Sequence, residues 1–432
     1  MGTILIDNIS LLPMDGRPPV AKARVLVNEA TISYAGPAAD CPESIVPDET
    51  IDGRGGVVLP GLVNCHTHAA MTLLRGYADD LPLMRWLTEA VWPVEERLTG
   101  EDVYWGTLLA CLEMIAGGVT TFADMYFFMD DVARAVESSG MRASLSRGLI
   151  GNGPGAEKGL AEGAELVRKW HRAGDGRITV MLGPHAPYTC PPSYLERVAG
   201  MSADLGVGIH IHLAETRTEV AEIREKYGAT PVEAVARTGL LDRPVLAAHC
   251  VHPAGGDLAI LAAKKVAVAH CPESNMKLGS GIAPVKALLE AGVPVGLGTD
   301  GAASNNDQDL FGEMRAAALL AKVAQGDPTV LPAHRVLEMA TSDGAAALGL
   351  TGVGAIAPGN RADLILVDFQ RPHLTPRHDV AAHLVYAARS ADVALTMVDG
   401  RILWRDGRFT TLDAEGIMAE AGRRAARLVG AG

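Results

Sequence analysis

His66 and His68 stand two residues apart in GLVNCHTHAAM, where an apolar run ends. Residues i and i+2 of an extended chain share a face, so both imidazoles would leave a strand end together. Such a pair is a metal-ligand arrangement or an unusual piece of core. The pattern recurs in GVGIHIHLAE, where His210 and His212 share a face and Glu215 follows three residues after His212. His212, nearer the strand end, is the expected ligand, and His210 a packing or supporting group one layer deeper. GLGTDG adds the carboxylate of Asp300. Three histidines and an aspartate, with a position left for water, suit one divalent zinc or iron ion acting as a Lewis acid.

What must position these groups is an alternation of apolar runs with helix-spaced segments. GLVNCHTH, GVTTFADMY, RASLSRGLI, ITVMLGPHAPY, GVGIHIHLAE, PVLAAHCVH, VAVAHCPESN and VPVGLGTDG are continuously apolar until their polar ends. Parallel strands covered on both faces read this way. Eight such units predict a (β/α)8 TIM-type barrel, with a doubly wound open sheet as the alternative, and barrels keep their chemistry at the C-terminal strand ends. Residues 69–117 exceed one helix and are expected to cap the mouth, with Trp86 and Trp92 packing inside the cap. Two-metal barrel enzymes commonly add a modified lysine after the fourth strand. LGPHAPY offers His185 and no lysine there, so one metal per chain is expected.

Residues 1–58 and 356–432 hold short β-prone runs, including a hairpin signal at VDGR, and the second stretch ends in a helix. They predict one small β-sandwich domain built from both termini around a barrel over 59–355; two unrelated β extensions are the alternative. The 432 residues are 48% hydrophobic and 21% charged, a folded composition. A net charge of −13 argues against a nucleic-acid partner. No secretory leader or membrane span is evident, and Ile6 stands where a myristoylation signal needs Ser or Thr. Six cysteines without a C-x-x-C read as reduced thiols. The expectation is a cytoplasmic homo-oligomer that takes a small molecule.

GLVNCHTHAAMTLLRG, HLAET, HCPESNMKLGSG and GLGTDGAASNND resemble the amidohydrolase superfamily, and within it the 5′-methylthioadenosine/S-adenosylhomocysteine deaminase branch. The resemblance runs from the N-terminal β segment to GNRADLILVD. It implies that His66, His68, His212 and Asp300 hold the metal, that Glu215 shuttles protons, and that His249 helps orient the attacking water. It also implies that Glu95, Arg147 and His185 contact a purine nucleoside, with Glu215 and Asp300 touching it as well. Residue by residue, Glu95 also reads as a solvated helix charge, Arg147 as an ion-pair partner, and His249 as a supporting group without a proton role. The implied reaction adds water at C6 of the adenine ring and expels ammonia, with Asp300 as base and Glu215 as acid. A triazine or guanine hydrolase and an inactive assembly scaffold are the competing readings.

Overall fold

The computed structural model describes residues 2–42 and 46–430. Near the N-terminus, β1 (Thr3–Leu11), β2 (Val20–Asn28), β3 (Thr31–Pro37), β4 (Glu49–Asp52) and β5 (Val57–Pro60) follow one another closely. The barrel strands are β6 (Leu62–Thr67), β7 (Val119–Tyr126), β8 (Arg142–Leu149), β9 (Ile178–Pro184), β10 (Ile209–Leu213), β11 (Val245–His249), β12 (Ala267–His270) and β13 (Val295–Leu297). The chain returns to the first sheet with β14 (Leu364–Val367), β15 (Val393–Val398), β16 (Arg401–Arg405) and β17 (Arg408–Phe409).

β6 to β13 form a parallel sheet in which every strand pairs with its sequence neighbour. Helices cross between most of them, so this is the predicted (β/α)8 barrel. Local signals place these helices: Thr99 and Asp102 form a capping box on Gly100–Ala116, and Thr216 caps Arg217–Tyr227. Closure falls to the residues just after β13. The Asp300 N–H donates to His66 O at 2.9 Å, and the Asn64 side chain bonds both the N–H and the hydroxyl of Thr299. Glycine makes this approach possible: a Cβ on Gly298 would lie 2.9 Å from His66 N, and one on Gly296 2.5 Å from Cys65 Sγ.

The two termini share one continuous mixed sheet rather than two separate ones. β14 pairs antiparallel with β5, joining the C-terminal strands to β1, β2 and β3, while β4 lies alongside β1. Ile6, Val25, Ile32, Val58, Leu364 and Met397 from both ends of the chain meet in one core. Asp399 and Gly400 both have positive φ in the VDGR hairpin. β5 extends this sheet to Pro60. Not all of 356–432 joins it: Val380–Tyr386 packs on the barrel helices Leu310–Gln325 and Ala333–Met339, and the terminal helix Ala414–Val429 packs on Gly100–Ala116. Arg142 at the start of β8 ties the barrel to the sheet through Asp363 (2.8 Å) and Asp399 (2.7 Å).

Candidate active site

Two imidazoles turn their Nε2 atoms toward one carboxylate at the barrel mouth, and a third lies beside them. His66 and His68 both place Nε2 at 3.4 Å from Asp300 Oδ1, and His212 Nε2 lies 3.3 Å from His68 Nε2. Each ring is anchored through its other nitrogen: His68 Nδ1 to Met125 O (2.5 Å), His212 Nδ1 to His185 O (2.8 Å) and His66 Nδ1 to His210 Nε2 (2.8 Å). The backbone N–H that closes the barrel therefore also sets the carboxylate beside the histidines. His66 Nε2 is completely buried and has no hydrogen-bond partner. Burial presses the His66 pKa down to about 4 and that of His212 well below the ordinary range, so both rings are neutral lone-pair donors. For Asp300, burial alone would favour the protonated form. The His66 ring at 3.4 Å and the nearby imidazoles outweigh it and hold the pKa well below the usual value. Imidazole nitrogens, a carboxylate and an orphaned buried Nε2 fit a divalent transition metal. His66, His68 and Asp300 form one candidate ligand group and His66, His212 and His249 an overlapping one, each with donor atoms within 4.8 Å of one another.

Glu215 and His249 face each other beside this group. Ala214 takes a left-handed φ of 52° as the chain leaves β10, and the Glu219 carboxylate accepts the N–H groups of Ala214 (2.9 Å) and Glu215 (2.8 Å). That brace fixes the backbone from which Glu215 projects. Burial raises the pKa of Glu215 and lifts that of Glu219 to about 7. His249 Nε2 lies 3.9 Å from Glu215 Oε2, and its Nδ1 is 3.0 Å from Asn275 Oδ1. Burial disfavours the charged ring of His249, but Glu215, Asp300 and the bond to Asn275 outweigh it and raise the pKa. Asp300 Oδ2 accepts from Ser274 (2.7 Å) and Ser304 (2.8 Å). Asp124, pushed to about 6 by burial, accepts from Thr67 and from the Ala69 N–H, the residues flanking His68.

The cavity above these groups is walled by Trp86, Leu87 and Trp92 from the cap, by Tyr126 and Phe127 from the β7 end, and by His185 and Tyr188. Both tryptophans thus line the cavity as well as packing the cap. Glu95 also lines it, and is no solvated helix charge: burial raises its pKa, partly offset by a 2.7 Å bond from the Tyr126 hydroxyl. His185 presents its ring to the same space with Nδ1 on Thr189 Oγ1 (2.9 Å). Arg147 is not brought into it. On β8 it shares parity with Leu145 and Leu149, which pack outward, whereas Ser146 and Gly148 point the other way. Its guanidinium stacks on Phe127 at 5.0 Å and pairs with Glu162 at 2.9 Å, one side chain outside the cavity.

Sequence reading did not assign Tyr126, Ser274, Asn275, Ser304 or Glu219. HCPESN and GTDGAAS contain three of them beside recognised residues. Nothing in TFADMY sets Tyr126 apart from a strand residue.

A profile of the amidohydrolase family matches residues 57–403, and the chain belongs to that family. It is 59% identical over 430 residues to the 5-methylthioadenosine/S-adenosylhomocysteine deaminase of Pelotomaculum thermopropionicum, covering 99% of both chains. A solved adenosine deaminase from Xanthomonas campestris with bound zinc superposes with a TM-score of 0.95 at 36% identity, covering 99% of this chain and 98% of that one. The zinc complex of atrazine chlorohydrolase from Arthrobacter aurescens follows at 0.91 and 27%, covering 98% of this chain and 100% of that one. Among the described residues no helix is long and apolar enough to cross a membrane.

Proposed function

We infer that the chain is a hydrolytic deaminase that replaces the 6-amino group of adenosine derivatives by oxygen, giving the inosine analogue and ammonia. 5′-Methylthioadenosine, S-adenosylhomocysteine and adenosine are the substrates. The observation that carries this reading is the meeting, in one walled cavity, of the neutral imidazoles and Asp300 with a Glu215 whose burial favours its proton. His66, His68, His212 and Asp300 would hold one divalent metal, zinc by its nitrogen-rich donor set. Such an ion supplies Lewis acidity and a water of lowered pKa.

The protein's own groups do the rest. Asp300 takes the proton of the attacking water, and His249, with Nδ1 tied to Asn275, orients that water. Glu215 delivers its proton to the ring nitrogen beside C6, where negative charge develops as the aromatic ring is broken. The proton held by Asp300 then passes to the amino group, and as the C6–N bond breaks and ammonia leaves, the C6 hydroxyl gives its proton back to Glu215 and becomes the carbonyl. His185 borders the ring. Glu95, acceptor-only when ionised, takes the ribose hydroxyls with the oxygen not held by Tyr126. A homocysteine carboxylate would draw Arg147 from Glu162, a fork-shaped match that methylthioadenosine does not offer. Cytoplasmic location and self-association go with this reading.

The test is a panel of adenosine, 5′-methylthioadenosine, S-adenosylhomocysteine, guanine and a chlorotriazine, with ammonia and chloride release measured on protein of known metal content. The reading requires one metal per chain, preference for the nucleosides, and loss of S-adenosylhomocysteine turnover in Arg147→Met with methylthioadenosine spared. Preference for the triazine, the reaction named for the Arthrobacter enzyme, would overturn it.

A further inference from the structure

The three histidines of the proposed metal group are not supported alike. His68 and His212 rest on backbone carbonyls, which the fold supplies whatever the side chains are. His66 rests on another histidine, His210, at 2.8 Å. Both rings are completely buried, and their centroids lie 4.9 Å apart in an edge-on arrangement. A nitrogen that donates its lone pair to a metal cannot carry a proton, so His66, using Nε2, must carry its proton on Nδ1. Nδ1–H then donates to His210 Nε2, which must be unprotonated. His210 is thereby confined to the tautomer with its proton on Nδ1.

We propose that His210 is a positioning residue that orients His66 and keeps its Nε2 lone pair free for the metal, so that retention of the ion depends on a side chain that never touches it. This rests on the metal reading given above. Strand geometry supports it: His210 and His212 share a face of β10, one residue pair apart in depth, so the deeper imidazole reaches across to β6 while the upper one joins the mouth. The remaining Nδ1 of His210 has no protein partner, and neither has the Oγ of Ser146 in the barrel interior. Buried polar atoms of this kind are satisfied by internal water.

Asparagine and glutamine separate the two ring nitrogens. The amide of Asn matches the position of Nδ1 and leaves no acceptor for His66, whereas Gln can set its oxygen where Nε2 stood. The apo-forms of wild type, His210→Asn and His210→Gln are titrated with zinc against a chromophoric chelator, and folding of each is followed by circular dichroism. Loss of a supporting partner of this kind weakens metal binding about 10- to 100-fold. The expectation is that loss in His210→Asn, with His210→Gln within about threefold of wild type. Equal affinity in His210→Asn and wild type, or equal weakening in Asn and Gln, overturns the proposal. If His210→Asn does not fold, His210→Leu serves as the variant without an acceptor. A wild-type protein that binds no zinc would instead refute the metal reading itself.

Discussion

The barrel carries a buried group of ionisable side chains at each end, and the two are settled in opposite ways. At the bottom, the Arg142 guanidinium lies between Asp363 and Asp399, and Asp399 also takes Arg361 at 2.6 Å. Every charge there meets its opposite, as buried charges must for the fold to keep them. At the mouth, the imidazoles of His66, His185 and His212 are held neutral by burial, Glu215 is biased toward its acid, and His66 Nε2 has no hydrogen-bond partner. Similar burial thus yields a finished ion-pair network in one place and unspent donor and acceptor capacity in the other. The completed cluster joins two sheets. The incomplete one is what a ligand would complete, and its distorted strand ends at Ala214, His249 and Asp300, all at positive φ, belong to that task.

The contrast can be broken at either end. At the mouth, Glu215→Gln and Asp300→Asn keep size but lose the transferable proton or the base. Each should lower kcat by about 10²- to 10⁴-fold while thermal unfolding stays close to wild type; near-normal turnover in Glu215→Gln would remove its assigned role. At the bottom, Arg142→Met should do the reverse. Leaving Asp363 and Asp399 buried without their partner should cost about 3–5 kcal/mol in urea unfolding. The molecules that remain folded should keep wild-type kcat and metal content, and a loss of activity without a loss of stability would erase the distinction between the clusters.

Smaller changes sharpen the account of the mouth. Glu95→Gln removes a charged acceptor and should cost about 1.5–3 kcal/mol, seen as a ten- to hundredfold fall in kcat/KM for nucleosides. Any slow activity on free adenine should stay unchanged, because the base does not reach Glu95. Tyr126→Phe should have the smallest effect, about two- to tenfold in KM at neutral pH, the range of a single net hydrogen bond. Its pH dependence is more telling. Burial raises the Glu95 pKa and the Tyr126 bond lowers it, so losing that bond moves the pKa further up. Binding requires the ionised carboxylate, so KM should rise as pH falls through the Glu95 pKa. In Tyr126→Phe that rise should begin at a higher pH than in wild type, and unshifted KM profiles would show that the tyrosine does not tune Glu95.

The parts legible from sequence are those in which one segment carries the whole signal. The eight barrel strands could be read because strands covered on both faces are apolar throughout, and His66 with His68 because a two-residue spacing defines a face. Glu95 was readable as a residue but not in its surroundings. Its partner Tyr126 lies 31 positions away, and no local pattern marks the pair. Arg147 shows the converse case. Its position at a strand end suggested the mouth, yet the alternation of β8 sends the side chain outward to Glu162. Trp86 and Trp92 were read as packing because a cap must be apolar underneath, and the same property makes them the wall of a cavity.

By itself, then, the sequence determined the periodicities, the strand count, the turn at Asp399–Gly400 and the identity of the donors on each strand end, all of which follow from neighbours within a few residues along the chain. Tertiary structure decided which donors converge, because barrel closure through Asn64, Thr299 and Asp300 is a meeting of the first and last strands. It also decided each protonation state, since the pKa of His66 or Glu215 depends on how much protein excludes water around it and on which charges lie nearby. Those quantities are set by residues far apart in the chain, and they exist only once the barrel has closed.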